Sequence, residues 1–264
     1  MAWYRKIVQQ MAPRPVVIRT LDLGGDKALT REAAVQEMNP FLGLRGIRMC
    51  LADTELFRTQ LRAILRASAY GKVEIMFPMI SSVEEFRQAA HLVEDAKSEL
   101  KSERIRFDEQ APVGAMIETP SAALVADLLA REASFFSIGS NDLIQYSIAV
   151  DRGNQSTNYL YQPLHPAILR LIRSVIDMAH AGGIRVTVCG EIAADPLAGV
   201  LLLGLGLDTF SVSPVSISET KRIIRATPYA EAKAVAQEAL TLPTAQAVKE
   251  LVRSRLGERV THGV

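Results

Sequence analysis

Two cysteines in 264 residues are too few for a disulfide framework, and Cys50 and Cys189 lack the spacing of a metal-binding pair. A stapled secreted fold is excluded, and a reduced, cytoplasmic setting is the default expectation. Charge of one sign is missing too. The 30 basic and 29 acidic residues leave a net charge of +1 and are spread evenly, so neither a nucleic-acid footprint nor a polybasic membrane patch is indicated. No apolar run approaches the ~20 residues of a membrane span. The opening Met-Ala-Trp-Tyr-Arg-Lys has no signal-peptide core. Repeats, low-complexity tracts and linkers are absent as well, which points to a single domain over residues 1–264.

What is present is apolar and periodic. With 48% hydrophobic residues the chain can bury a large core. Six continuous apolar runs are expected as strands buried on both faces: Pro15–Thr20, Val73–Met79, Val113–Thr119, Phe135–Gly139, Ile184–Gly190 and Leu207–Val212. Helical patterns alternate with them at Thr54–Ser68, Val83–Lys101, Ser121–Arg131, Pro166–Ala181 and Pro196–Leu203, and Tyr229–Leu256 reads as two helices separated by Pro243. Ser82 and Asp195 stand where helix-capping side chains belong. Alternation of this kind specifies an α/β fold with a parallel sheet. It fits either a doubly wound sheet or a (βα)8 barrel. Reactive side chains at or just beyond the strand ends, namely Arg19, Glu118, Asn141 with Asp142, and Cys189 with Glu191, favour the barrel, where all such ends converge. Closure needs eight strands, however, and six are visible.

Glu118, in Ile-Glu-Thr-Pro, and Asp142, in Ser-Asn-Asp-Leu, each follow an apolar run. Two hard oxygen ligands suit Mg²⁺, which draws further ligands from water and a phosphate-bearing substrate. The alternative is that both carboxylates cap the helices that follow. Arg19, Arg45, Arg152 and Lys27 form a cationic set. The guanidinium fork binds phosphate or carboxylate at two points, and internal ion pairs with Asp22, Asp26 or Asp151 are the alternative. Gly24-Gly25 is a turn signal and not a nucleotide-binding fingerprint. Cys189, ending the fifth run, is placed to donate a proton to an enolate; the alternative is a small buried hydrophobe, the reading assigned to Cys50. The four histidines, His91, His165, His180 and His262, read as surface or packing residues.

Arg-Thr-Leu-Asp-Leu-Gly-Gly-Asp-Lys, Asn-Pro-Phe-Leu-Gly-Leu-Arg, Ile-Met-Phe-Pro-Met, Ile-Glu-Thr-Pro-Ser, Phe-Phe-Ser-Ile-Gly-Ser-Asn-Asp-Leu, Val-Asp-Arg-Gly-Asn, Leu-Tyr-Gln-Pro and Cys-Gly-Glu-Ile-Ala occur in this order. Together, from about Tyr4 onward, they resemble the C-terminal domain of Enzyme I of the bacterial sugar phosphotransferase system, including its forms within multiphosphoryl transfer proteins. Pyruvate phosphate dikinase and phosphoenolpyruvate synthase share several of the elements, and a non-catalytic regulatory remnant is a third reading. The resemblance implies a barrel of the phosphoenolpyruvate/pyruvate-binding kind, here without its first two strands, the second of which carries a phosphate-binding arginine. It implies Mg²⁺ on Glu118 and Asp142. Phosphoenolpyruvate would lie against Arg19, Arg45, Lys27, Asn141, Asp142 and Arg152, with Cys189 protonating the enolate to pyruvate. The phosphoryl group would pass to a histidine on a separate N-terminal domain and then to a histidine-containing phosphocarrier protein. A homodimer is implied as well.

Overall fold

The computed structural model describes residues 1–22 and 39–257. Its strands are β1 (Val16–Arg19), β2 (Val73–Phe77), β3 (Val113–Ile117), β4 (Phe135–Gly139), β5 (Arg185–Cys189) and β6 (Thr209–Phe210). They stand in the sheet in chain order. The β1–β2, β2–β3 and β5–β6 pairs are parallel, with Ile18 opposite Ile75 and Val188 opposite Phe210. Uninterrupted chain order belongs to a TIM-type barrel; a doubly wound sheet reverses its order at a switch point. The class is therefore α/β of the partial-barrel kind, and six strands are found among the described residues.

The helices are α1 (Ala2–Met11), α2 (Ile47–Ala52), α3 (Thr54–Ser68), α4 (Val83–Ser102), α5 (Pro120–Leu124), α6 (Ala126–Leu129), α7 (Ser140–Ser147), α8 (Pro166–Ala181), α9 (Pro196–Gly204), α10 (Ile217–Ala226), α11 (Tyr229–Ala239) and α12 (Ala245–Leu256). Their starts follow local chemistry. Ser82 Oγ accepts the Glu85 N–H at 3.2 Å and Asp195 Oδ1 the Ala198 N–H at 2.9 Å, so both expected caps form. The helix expected over Ser121–Arg131 is interrupted at Val125 (φ −109°, ψ 24°), giving α5 and α6.

The described residues fall into two compact units. The first runs to Met116 and includes Glu132–Phe135; the second takes Ile117–Arg131 and the chain from Phe136 onward. In the first, Phe77 of β2 meets Phe57 of α3 and Phe86 of α4 edge-on, at centroid separations of 6.0 and 5.7 Å. On the surface, Arg62 of α3 holds Glu99 and Glu103 at 2.8 and 2.6 Å, and Arg58 also pairs with Glu99, whose carboxyl it keeps below the usual range. In the second unit α9 lies directly on α11. A Cβ at Gly204 would stand 2.0 Å from the Ala232 carbonyl oxygen. Gly204→Ala must push the two helices apart and is expected to cost about 1–3 kcal/mol, read as a lowered denaturant midpoint. No helix among the described residues is long and apolar enough to cross a membrane.

Candidate active site

In the first unit, β1 ends on Arg19, and Asp22 follows three residues later. The Asp22 side chain is buried, and Arg45 grips it at two points, Nη2 at 2.8 Å from Oδ2 and Nε at 3.2 Å from Oδ1. Arg19 Nη1 reaches the same carboxylate at 3.3 Å. The internal ion pair set against anion binding thus forms for both arginines. Arg45 is held almost wholly buried while the Arg19 side chain remains 41% exposed, so the two differ in what they can still reach. Lys27 lies outside the described residues. Cys50 is buried with its Sγ 3.6 Å from the Leu21 carbonyl oxygen, and burial together with Asp22 and Asp53 pushes its thiol up to about 12. It stays protonated and inert, as the packing reading held.

In the second unit, Glu118 follows β3 and is only 1% exposed. The helix cap is its neighbour: Thr119 Oγ1 accepts the Ala122 N–H at 3.2 Å, with Pro120 opening α5. The residue that caps α5 is thus Thr119 and not Glu118. Asp142, also buried, lies in the first turn of α7, where the unbonded N–H groups favour negative charge. That helix starts on Gly139, with no loop between it and β4. Among the described residues no group of three or more His, Cys, Asp and Glu is gathered to hold an ion.

Tyr161 bonds one of the sequence-derived residues and feels the charges of three more. Tyr161, from Leu-Tyr-Gln-Pro, donates to the Asn141 carbonyl at 3.4 Å. Burial, helped by Glu191 and Asp142 and opposed by Arg152, pushes its phenol up to about 12. Asn141 thus bonds this hydroxyl directly, while Asp142, Arg152 and Glu191 act on it electrostatically. Arg152 is positioned through its backbone, whose N–H donates to the buried Gln145 Oε1 at 3.1 Å. Asp151 spends its carboxylate on the Gly153 N–H at 2.8 Å, and among the described residues no ion pair joins it to Arg152.

The turn after β5 is clamped from α7. Ser140 Oγ donates to the Cys189 carbonyl at 2.7 Å, and the Glu191 N–H donates to Asn141 Oδ1 at 3.0 Å. Between them Gly190 has φ +96°, and a Cβ there would fall 2.3 Å from Ser140 Oγ and 2.8 Å from Asn141 Oδ1. The Cys189 sulfur accepts from Ser137 Oγ at 3.5 Å and donates to the Ile138 carbonyl at 3.4 Å. Ser137, Ser140 and Tyr161 were passed over in the sequence. The signal for Ser137 was a hydroxyl inside an otherwise apolar buried strand. The histidines are structural or superficial, as expected: His165 Nδ1 caps α8 by accepting the Ala167 N–H, His180 meets Asp208 at 2.9 Å, and His91 lies 3.8 Å from Asp95. His262 lies outside the described residues.

A family model described as PEP-utilising enzyme, PEP-binding domain, matches residues 1–229. Proteins named phosphoenolpyruvate-protein phosphotransferase from Haemophilus influenzae and Listeria monocytogenes are 50% and 51% identical to this chain, each over 255 residues and 97% of its length. The chain spans 44% and 45% of those two relatives, less than half of each. A citrate lyase from Burkholderia xenovorans, 17% identical, superposes with a TM-score of 0.49, covering 75% of this chain and 67% of that one.

Proposed function

Since this chain belongs to the PEP-utilising enzymes, whose PEP-binding domain matches its residues 1–229, we propose that residues 1–264 act as one phosphoenolpyruvate-binding domain of a phosphoenolpyruvate–protein phosphotransferase. The observation that carries the reading furthest is Glu118, a carboxylate buried to 1% exposure and relieved of capping by Thr119. With Asp142 it would supply an all-oxygen, hard donor pair of the kind Mg²⁺ accepts, the remaining positions going to water and substrate oxygens. Glu118 and Asp142 would hold the ion, which would draw negative charge from the phosphoryl oxygens.

The chain's own residues then divide the substrate. Arg19, Arg45 and Arg152, with Lys27 and Asn141, bind the phosphate and carboxylate, and their charge counts for more as it develops on a departing phosphoryl group. Cys189 supplies the proton that turns the enolate left behind into pyruvate. Tyr161 holds the backbone at Asn141, and Ser140 holds the carbonyl of Cys189, so the proton donor and the Asn141 amide are fixed by one network. The acceptor of the phosphoryl group is a histidine of a separate domain, from which a histidine-containing phosphocarrier protein takes it in the cytoplasm. The working form is a homodimer.

Calorimetric titration with phosphoenolpyruvate tests this reading. The native chain is expected to bind only when Mg²⁺ is present, and Glu118→Ala to weaken that binding about 100-fold, a loss in the range of other essential charge-stabilising groups. Absence of binding by a folded native chain, with or without the metal, would refute the proposal in favour of a non-catalytic module.

A further inference from the structure

Ser137 is the single hydroxyl of β4, among Phe135, Phe136, Ile138 and Gly139, and it is 4% exposed. A hydroxyl buried in such a strand is costly unless it is hydrogen-bonded. Its Oγ donates across to the Cys189 sulfur of β5 at 3.5 Å. That sulfur in turn donates to the Ile138 carbonyl at 3.4 Å, the residue next to Ser137. The two contacts pull in opposite chemical directions. A carbonyl can accept only from the protonated thiol, so Ile138 favours S–H. A hydroxyl donating to sulfur interacts more strongly with the thiolate, because hydrogen bonds to an ion are roughly twice as strong as neutral ones.

We propose that Ser137 is a positioning residue for proton delivery: it aims the Cys189 sulfur and stabilises the thiolate left once the proton has gone. This rests on the reading of Cys189 as the proton donor. In the step concerned the S–H bond breaks and a C–H bond forms at the methylene carbon of the enolate, which becomes the methyl group of pyruvate. The electron pair of the S–H bond stays on sulfur, the negative charge passes from the enolate oxygen to sulfur, and the thiolate later regains a proton from water. The half-buried position of Cys189 beside β4 makes an anion there costlier than in water, and the Ser137 hydroxyl is a donor placed to offset it. Ile138 holds the resting thiol in its protonated form, so the pair of contacts serves both ends of the transfer.

The test has two arms. In the first, without any ligand, Cys189 is alkylated with iodoacetamide at neutral pH and the modified peptide quantified by mass spectrometry. Ser137→Ala is expected to react about tenfold more slowly than the native chain, having lost a hydrogen bond to the reactive anion. Ser137→Thr, which keeps the hydroxyl, is expected to retain most of the native rate. Ser137→Val against Ser137→Thr repeats the comparison at matched shape, so a folding defect in the alanine variant does not remove the test. In the second arm, with Mg²⁺ present, deuterium incorporation into the methyl group of pyruvate is followed by NMR. Loss of the hydroxyl should slow exchange about tenfold at an unchanged half-saturating pyruvate concentration. Equal alkylation rates with and without the hydroxyl would overturn the inference. A native chain that exchanges no pyruvate, yet shows the alkylation difference, would overturn the reading of Cys189 as proton donor while leaving the Ser137–Cys189 coupling in place.

Discussion

Asp22→Ala is expected to lower stability by about 3–5 kcal/mol, because it leaves the guanidinium of Arg45 in a buried site without its two-point partner. The side chains of Arg45 and Asp22 are only 8% and 2% exposed, so solvent cannot replace the lost bonds without rearrangement. For a chain of this length, each kcal/mol corresponds to roughly 2–4 °C, and thermal unfolding should show a fall of about 6–20 °C. Arg19→Ala is the control. Its side chain is 41% exposed and its contact with the same carboxylate is 3.3 Å, so the pair is expected to contribute under about 1 kcal/mol. If Arg19 binds phosphoenolpyruvate, that variant should instead lose affinity in the calorimetric titration with little change in unfolding temperature. A loss below about 1 kcal/mol in Asp22→Ala would mean that this carboxylate is not what stabilises the buried Arg45.

The second large effect is expected at Gly190. Its backbone, at φ +96° and ψ −174°, lies in a region open almost only to glycine, at a cost to other residues of about 1–3 kcal/mol. An added methyl would also meet Ser140 Oγ at 2.3 Å and Asn141 Oδ1 at 2.8 Å, both of which hold the turn. Overpacking of this kind adds a further cost of about 1–3 kcal/mol. Gly190→Ala is therefore expected to lose about 2–6 kcal/mol in all. The methyl displaces the groups that place Cys189, so catalysis should suffer beyond stability. A shift of about 1 Å in a positioned group costs on the order of 100-fold, so deuterium exchange into pyruvate should fall by about that factor at temperatures where the variant is folded. Native exchange in a folded Gly190→Ala chain would show that the turn tolerates the methyl and does not position the thiol. Gly204→Ala makes the useful comparison, since its expected cost arises between α9 and α11 and should leave exchange per folded molecule unchanged.

The elements were legible where local chemistry and burial agreed. Phe135–Gly139, Thr54–Ser68 and Pro166–Ala181 have the bounds expected of them, the last because His165 and Pro166 mark its start. Strand ends were read too long: Leu207–Val212 contracts to Thr209–Phe210, since apolar residues beside a strand can be buried without pairing. α7 and α10 were missed. α7 follows β4 without a loop, and its polar opening, Ser-Asn-Asp, was read for chemistry alone. α10 is the amphipathic stretch Ile217–Ala226, whose start carries no side-chain cap.

The α/β class, the six strands and the candidate residues were determined by sequence alone, because apolar runs, glycines and charged strand ends are local properties. Tertiary structure decided which of two possible partners each side chain took. Asp22 could pair with either neighbouring arginine and accepts both. Glu118 could have capped a helix and does not, since Thr119 does. Ser137 and Cys189 are 52 residues apart, and nothing in either neighbourhood predicts their contact. Hydrogen bonds between side chains on neighbouring strands depend on register and on which way each side chain faces, and both are set by packing of the whole sheet.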